Sequence, residues 1–187
     1  VVCGDVDEAR VATLQRGDVP FYEPGLAELV AEGVQAGRLS FVLGGSAAVR
    51  DAELVFLCVP TPQADDGSVD LSYVEAAAAS IAAALAPAAV VVNKSTVPVG
   101  SAAVVDRIIA RDDITVVSNP EFLREGSAVS DFLHPDRVVI GTDSPEAGRR
   151  VADLYQSVDA PIIITTPASA ETIKYAANAF LATKISF

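Results

Sequence analysis

Lys174 and Asn178 are two polar side chains four residues apart in a stretch that is otherwise nearly all apolar. At that spacing both project from one face of a helix. Burying an ammonium or amide without a hydrogen-bonding partner costs roughly several kcal/mol, so we expect each of the two side chains to have such a partner. Together they could stabilise an alkoxide or oxyanion. The alternative is a lysine that snorkels to solvent beside a core asparagine bonded to backbone.

The segment from Asn119 to Gly126 carries two carboxylates, Glu121 and Glu125. If Asn119 caps a short helix with Pro120 in its first turn, both glutamates lie on one helix face and repel each other. The two glutamates could have a purely structural role at a solvated helix start, where the helix dipole favours negative charge. Alternatively, one of them could be catalytic, as a general base or as a carboxylate that aligns a water molecule.

Asp5 ends the first predicted strand and is followed closely by Asp7 and Arg10. In a dinucleotide-binding fold, a carboxylate at a strand end accepts hydrogen bonds from the adenosine ribose hydroxyls and repels a 2′-phosphate. The alternative is that Asp5 caps the helix that starts near Asp7. The Gly-rich turn that normally lies about 20 residues before such a carboxylate is missing, because the chain starts only four residues before Asp5.

Two further loops follow predicted strands, Cys58–Pro62 and Lys94–Gly100. The two prolines of the first loop make it stiff enough to lie flat against a planar ligand, although prolines also end strands for structural reasons. The second loop offers a cation and the hydroxyls of Ser95 and Thr96, which suit a cofactor or a water molecule. Serine and threonine are equally ordinary residues at a helix entry.

Short apolar runs rich in β-branched residues alternate with helical stretches along the chain, a pattern typical of βα units that form a buried parallel sheet. The predicted strands are Val1–Gly4, Leu39–Leu43, Leu54–Val59, Ala89–Val92, Thr115–Ser118, Arg137–Ile140 and Pro161–Ile164. The predicted helices are Asp7–Arg16, Pro24–Glu32, Ser72–Leu85, Ala102–Ala110, Ser144–Tyr155 and a last one from Ser169 onward. Ligands of such sheets lie beyond the carboxyl ends of the strands, where Asp5, Pro60, Lys94 and Asn119 stand.

These elements predict one α/β domain with a doubly wound parallel sheet over residues 1–167. The boundary is expected at Thr165–Ser169, because no predicted strand follows the next helix. Residues 168–187 would then start a helix that leads to a second domain. We also expect the chain to be truncated at both ends, since it opens inside a strand-like run and contains no methionine.

Composition limits the partners and the compartment. The chain has 13 Lys and Arg against 25 Asp and Glu, a net charge of −12, which disfavours a nucleic-acid partner but allows a small phosphorylated ligand. Cys3 and Cys58 lack the spacing of a disulfide framework or metal site, so we expect a reducing compartment and no metal. Without a bilayer-long apolar stretch or a leader, we expect a cytoplasmic protein with no membrane partner.

Seven segments, taken in order, carry a resemblance to a known family: DVDEARV, YEPGL, VPTP, KSTVPVG, NPEFLREG, FLHPDRVVIG and ETIKYAANAFLATKISF. They resemble the N-terminal part of the UDP-glucose 6-dehydrogenases and, a little less closely, the GDP-mannose 6-dehydrogenases. The similarity covers essentially the whole chain. It implies a Rossmann-like NAD-binding domain that lacks its first βα unit.

The resemblance also implies roles for particular residues. It implies that Asp5 and Arg10 bind the adenosine ribose of NAD. The residues implied to line the rest of the cofactor site are Val59, Pro60, Thr61, Pro62, Ser95, Thr96 and Glu125. It gives catalytic roles to Glu121 as acid or base, Thr96 in ordering the hydrolytic water, and Lys174 and Asn178 in stabilising charge on the reacting oxygen. The implied nucleotide-sugar contacts are Glu121, Phe122, Leu123, Arg124, Glu125, Lys174 and Asn178.

The activity that the resemblance implies is an NAD-dependent, four-electron oxidation of a sugar C6 hydroxyl to a carboxylate, from UDP-glucose to UDP-glucuronate, in a protein expected to be a homodimer. A cysteine outside this chain would form the thioester intermediate, so this fragment alone should be inactive. GDP-mannose or another nucleotide sugar is the alternative substrate. Two different classes of protein also fit the residues, namely a 3-hydroxy-acid dehydrogenase and a nucleotide-binding module without catalysis.

Overall fold

The computed structural model describes residues 1–187. Seven strands form two sheets: β1 (Val2–Asp5), β2 (Ser40–Leu43), β3 (Leu54–Leu57), β4 (Val90–Asn93), β5 (Thr115–Ser118), β6 (Val138–Gly141) and β7 (Ile162–Thr165). The eight helices are α1 (Glu8–Gln15), α2 (Leu26–Gln35), α3 (Gly45–Ala48), α4 (Ser72–Ile81), α5 (Ser101–Ile109), α6 (Ala128–Leu133), α7 (Pro145–Asp153) and α8 (Pro167–Ser186). All seven predicted strands and all six predicted helices are present, with ends shifted by a few residues.

The larger sheet has the order β3-β4-β5-β6-β7 and is mostly parallel. Strands β3, β4 and β5 pair in parallel, as do β6 and β7, which confirms the α/β class. The direction reverses between β5 and β6, which pair antiparallel where Ser118 faces Gly141. The predicted parallel sheet is therefore confirmed as parallel-dominated, with one antiparallel junction that the sequence did not indicate. The reversal brings the start of β6 to the edge at which β5 ends.

Strands β1 and β2 form a separate parallel pair, a division that the sequence did not indicate. This pair has a small core of its own, made by Val11, Val30 and Phe41. The short helix α3 joins it to the larger sheet, since α3 contacts β1, β2 and α4. The Ser46 hydroxyl donates a 2.9 Å hydrogen bond to the Ser80 carbonyl at that junction.

The main core lies on both faces of the larger sheet. On β4, Val91 faces the helices α4 and α5, while Val90 and Val92 face α7. This alternation is what a strand of β-branched residues produces when both of its faces are covered. Prolines and capping hydroxyls fix two helix starts, with Ser144 capping α7 and Thr166 capping α8.

The longest helix, α8, runs for 20 residues and packs against β6 and β5. A glycine permits this approach, because a Cβ at Gly141 would lie 2.6 Å from the Ala170 Cβ and 2.8 Å from the Pro167 Cα. The distal part of the helix is exposed at Phe180 and Ile185. No helix, α8 included, combines the length and the hydropathy that a bilayer crossing requires.

Candidate functional site

The ends of three parallel strands bring the predicted loops to one edge of the larger sheet. The Ser95 hydroxyl connects two of them, since it donates to the Val59 carbonyl at 2.7 Å and accepts from the Val59 N–H at 3.0 Å. The Thr61 hydroxyl donates to the Thr96 carbonyl at 2.8 Å. The side chains of Ser95 and Thr61 therefore hold the two loops together, while the Thr96 hydroxyl makes no hydrogen bond within the protein.

A single ion pair joins the last helix to this edge. The Lys174 Nζ donates to the Glu121 Oε1 at 2.8 Å, and only 6% of the lysine side chain is exposed against 29% of the glutamate. The expected partner of the buried lysine is thus a carboxylate. Asn178, one turn further along α8, is exposed and makes no side-chain hydrogen bond within the protein.

The backbone around Glu121 differs from the sequence prediction. Residues 119–124 form an irregular loop, so Glu121 and Glu125 do not share a helix face. The predicted cap, Asn119, is buried and donates instead to the Val139 carbonyl on β6 at 2.7 Å. The Glu121 Oε2 accepts from the Leu123 N–H at 2.6 Å, a local turn that competes with helix formation. Glu125 is exposed and unpaired.

Contacts on both sides hold the loop that follows Glu121. The Phe122 ring lies between two cations, 4.6 Å from the Arg137 guanidinium and 5.4 Å from the Lys174 Nζ. Arg124 pairs with Asp131 at 2.7 Å, and the hydrogen bonds from Arg124 lower the pKa of Asp131 to about 2. These contacts fix the path of the loop on both sides of Leu123.

The motif YEPGL supplies a further anchor for this loop. The Glu23 carboxylate accepts from the Gly126 N–H and the Ala128 N–H, both at 2.8 Å. These N–H groups stand at the start of α6, where they have no partner inside the helix. Glu23 therefore connects the β1–β2 part of the chain to the loop that carries Glu121.

A second cation, the half-buried Lys94, stands beside the ion pair. The Lys94 Nζ donates to the Asn119 Oδ1 at 3.2 Å and to the Tyr155 hydroxyl at 3.4 Å, and that hydroxyl donates to Asn119 at 2.6 Å. Burial lowers the pKa of Lys94 to about 8 and raises the pKa of Tyr155 to about 12. The protonated form of Lys94 is therefore less stable here than it would be in water.

Two buried polar residues at this edge escaped the sequence analysis. Asn93, at the end of β4, is 2% exposed, and its side-chain amide has no hydrogen-bond partner. Glu171, on the first turns of α8, is 3% exposed and accepts hydrogen bonds from α5 and β5. Both line a small cavity that also contacts Lys174. Their local sequence gives no signal of these contacts, because the partners of Glu171 lie 53 to 71 residues away.

Asp5 stands at the carboxyl end of β1. Its carboxylate accepts from the Asp7 N–H at 2.9 Å and from Arg10 at 3.0 Å. Although desolvation acts the other way, these hydrogen bonds hold the pKa of Asp5 below its ordinary value. The helix cap is Asp7, whose side chain accepts from the Arg10 N–H. The alternative that Asp5 caps α1 is therefore wrong.

The residues present fit the adenosine end of NAD. The Asp5 side chain is 30% exposed, and each of its oxygens keeps a lone pair for a ribose hydroxyl. Arg10 lies next to it and is half-exposed. A parallel strand that ends in a partly exposed carboxylate, together with loops at the carboxyl ends of three further strands, is the arrangement of a nucleotide-binding α/β domain of the dehydrogenase type.

Comparisons with known proteins identify the family within this class. Residues 1–159 match the NAD-binding domain of the UDP-glucose/GDP-mannose dehydrogenase family. The chain belongs to that family, and NAD is confirmed as the cofactor of the matched domain. The family that the sequence predicted is therefore correct.

Individual members of the family resemble the chain over its whole length, in sequence and in structure. It is 48% identical to UDP-glucose 6-dehydrogenase TuaD of Bacillus subtilis, covering 100% of this chain and 42% of the relative. A UDP-glucose dehydrogenase structure from the archaeon Pyrobaculum islandicum superposes with a TM-score of 0.95 at 44% identity, covering 100% of this chain and 45% of that one. A GDP-mannose dehydrogenase structure from Pseudomonas aeruginosa gives 0.94 at 35%, with the same coverage. The chain spans less than half the length of these relatives.

Proposed function

We propose that the complete protein containing this chain oxidises the C6 hydroxyl of a nucleotide sugar to a carboxylate with NAD, and that its sugar is UDP-glucose. One observation carries the proposal, namely the ion pair between the buried Lys174 and the partly exposed Glu121 at the carboxyl edge of the sheet. A dehydrogenase needs a cation where an alkoxide develops and a carboxylate that can take or align a proton nearby. The names of the relatives support the choice of reaction.

Lys174 is the group suited to the reacting oxygen. Its ammonium has three donors, and the ion pair with Glu121 uses one of them. The remaining donors can approach an oxygen that gains negative charge, in a place where water is largely excluded and each hydrogen bond is stronger. Asn178 lies one turn along the same helix with its amide unpaired, so we assign it to the same oxygen.

Glu121 is the group suited to proton transfer. Its Oε2 is held by the Leu123 N–H and its Oε1 by Lys174, so the carboxylate has a fixed direction. We assign it to the water that hydrolyses the thioester, with the free Thr96 hydroxyl ordering the same water. The residues Phe122, Leu123, Arg124 and Glu125 would contact the nucleotide sugar, with Glu125 also near the nicotinamide.

Asp5 and Arg10 would hold the adenosine ribose of NAD, and the loops Val59–Pro62 and Ser95–Thr96 would line the rest of the cofactor. When bound, NAD accepts the hydride that leaves C6. Asp5 would disfavour NADP, because the negative carboxylate of Asp5 would repel the 2′-phosphate that NADP carries on the same ribose.

The thioester nucleophile is assigned to a cysteine outside residues 1–187. Neither Cys3 nor Cys58 lines the cavities beside Glu121 and Lys174. Partial burial raises the pKa of both thiols, which makes them poor nucleophiles. Both are free thiols, which supports the further proposal of a cytoplasmic protein. The homodimer expected from the resemblance is part of the same proposal.

The test is the stoichiometry of the complete protein. With UDP-glucose we expect two NADH per sugar and UDP-glucuronate as the product, because the oxidation removes four electrons and consumes one water. GDP-mannose and UDP-N-acetylmannosamine are the competing arms. A product at the aldehyde level, or higher kcat/KM with GDP-mannose than with UDP-glucose, would contradict the proposal.

The role of Glu121 has its own test. Glu121→Gln keeps the shape of the side chain but cannot accept a proton. If Glu121 acts on the hydrolytic water, the variant should accumulate a covalent sugar adduct that intact-protein mass spectrometry detects. Normal turnover without an adduct would reduce Glu121 to a structural partner of Lys174.

A further inference from the structure

Glu171 is the most deeply buried carboxylate of the chain, at 3% exposure. Its Oε2 accepts from the Gly100 N–H at 2.6 Å, and its Oε1 accepts from the Ala102 N–H at 2.9 Å and the Ser118 hydroxyl at 3.1 Å. No lysine or arginine pairs with it. Its negative charge is therefore balanced by backbone N–H groups and one hydroxyl.

The two N–H groups belong to the N-cap residue and the first turn of α5, and no side chain from its own sequence caps this helix. The N-cap position is Gly100, whose φ of 98° is a left-handed conformation and which has no side chain to accept a hydrogen bond. Glu171 supplies that cap from another helix, at the positive end of the α5 dipole. A carboxylate satisfied in this way cannot move without leaving three donors unpaired.

Three elements that carry proposed site residues meet at this carboxylate. The loop before α5 carries Thr96, the segment after β5 carries Glu121, and α8 carries Lys174. Lys174 is three residues after Glu171 on the same helix face, so a shift of this turn of α8 would displace the backbone that carries both side chains. Glu171 and Glu121 have no hydrogen-bond partner in common.

We propose that Glu171 is a positioning residue: by fixing the first turns of α8 to the start of α5 and the end of β5, it sets the distance between Lys174 and Glu121. This inference deepens the proposed function and rests on it for the kinetic part of its test. A misplacement of about 1 Å at a reacting group can cost on the order of 100-fold in rate, so the alignment of the pair matters for kcat.

The experiment compares variants of the complete protein. Glu171→Gln preserves volume but puts an NH₂ group, a donor, where an oxygen accepted a hydrogen bond. We expect kcat with UDP-glucose to fall on the order of 10- to 100-fold, while the KM values of NAD and UDP-glucose stay within about twofold. In its crystal structure, the Lys174 Nζ to Glu121 Oε1 distance should lengthen from 2.8 Å.

Two further variants complete the series. Ser118→Ala removes one of the three donors and should give a smaller loss of kcat with the same unchanged KM values. Thr172→Ala is the matched control on α8, because that exposed hydroxyl donates only to the Ala168 carbonyl of its own helix. We expect it to behave like the unmodified protein in kcat and KM.

The outcomes separate positioning from stability. If Glu171→Gln lowers only the melting temperature, while kcat and the 2.8 Å distance are unchanged, the positioning role is refuted. If the Glu171→Gln protein does not fold, the Ser118→Ala variant tests the positioning role instead. An unchanged kcat in the Ser118→Ala variant would overturn the inference. If the unmodified protein does not oxidise UDP-glucose, the proposed function fails, and the distance in the variant crystals still decides the role of Glu171.

Discussion

Replacing Lys174 with methionine tests the chemistry assigned to the ion pair. Methionine preserves the length and the apolar stem of the lysine but removes the ammonium that donates to Glu121 at 2.8 Å. If Lys174 stabilises the reacting oxygen, kcat should fall on the order of 10² to 10³, which corresponds to about 2.7 to 4 kcal/mol of transition-state stabilisation. NAD binding should be nearly unchanged, because Lys174 lies outside the residues assigned to the cofactor.

The same change has a separate cost in stability. A hydrogen bond to a charged group contributes about 1.5 to 3 kcal/mol, and the lower part of that range applies because 29% of the Glu121 side chain remains in contact with water. About 1.5 kcal/mol should lower the melting temperature by roughly 3 to 6 °C in a domain of this size. The expected loss of rate is thus larger than the expected loss of stability.

Three measurements on the complete protein separate these effects. Steady-state kinetics give kcat and KM for UDP-glucose, titration calorimetry gives the Kd of NAD, and calorimetric melting gives the stability. The matched control is Lys184→Met, which removes an exposed ammonium near the end of the same helix. A Lys174→Met protein with kcat within threefold of the unmodified protein would refute the catalytic assignment.

Three more substitutions each test a single contact. Asp5→Ala should narrow the preference for NAD over NADP by about 10-fold in kcat/KM, because it removes the carboxylate that repels a 2′-phosphate; equal use of both cofactors by the unmodified enzyme would contradict this. Asp131 has a pKa of about 2 against an ordinary 3.8, so its pairing with Arg124 stabilises the fold fully above pH 3.8 and is lost as the pH falls through 2. Urea unfolding should therefore show Asp131→Asn less stable at neutral pH, with the difference disappearing toward pH 2. Gly141→Ala should cost about 1 to 3 kcal/mol in thermal unfolding, because its Cβ would lie 2.6 Å from the Ala170 Cβ and would push α8 off β6; an unchanged melting temperature would mean that the helix start yields freely.

The strands were predictable because their residue types leave few conformations open. A run such as Val90–Val92, apolar and β-branched throughout, has to be buried on both faces, and parallel pairing follows from the helices between the strands. The reversed direction of β6 was not predictable, since an apolar run has no direction of its own. The helix α6 was missed because its six residues are too few for a periodic pattern.

The candidate site was predictable where polar residues violate an apolar pattern. Lys174 was conspicuous for that reason, and its partner Glu121 was already a candidate. Glu171 was missed because a carboxylate one turn into a helix is ordinary in sequence, and only the tertiary fold shows that it caps a different helix. The prediction for Asn119 was wrong because its amide finds a better partner in the Val139 carbonyl.

The length of α8 has a mechanical consequence for the ion pair. From Lys174 to Ser186 the helix extends about 18 Å, at 1.5 Å per residue, and its far end is exposed at Ile185. Its first turns pack closely on Gly141 and are hydrogen-bonded through Glu171, so a tilt of the helix would pivot near Lys174. A tilt of about 5° would displace the far end by about 1.5 Å and leave the Lys174 backbone almost stationary. We therefore expect a displacement of the distal half of α8 to change the spacing of Lys174 and Glu121 only slightly.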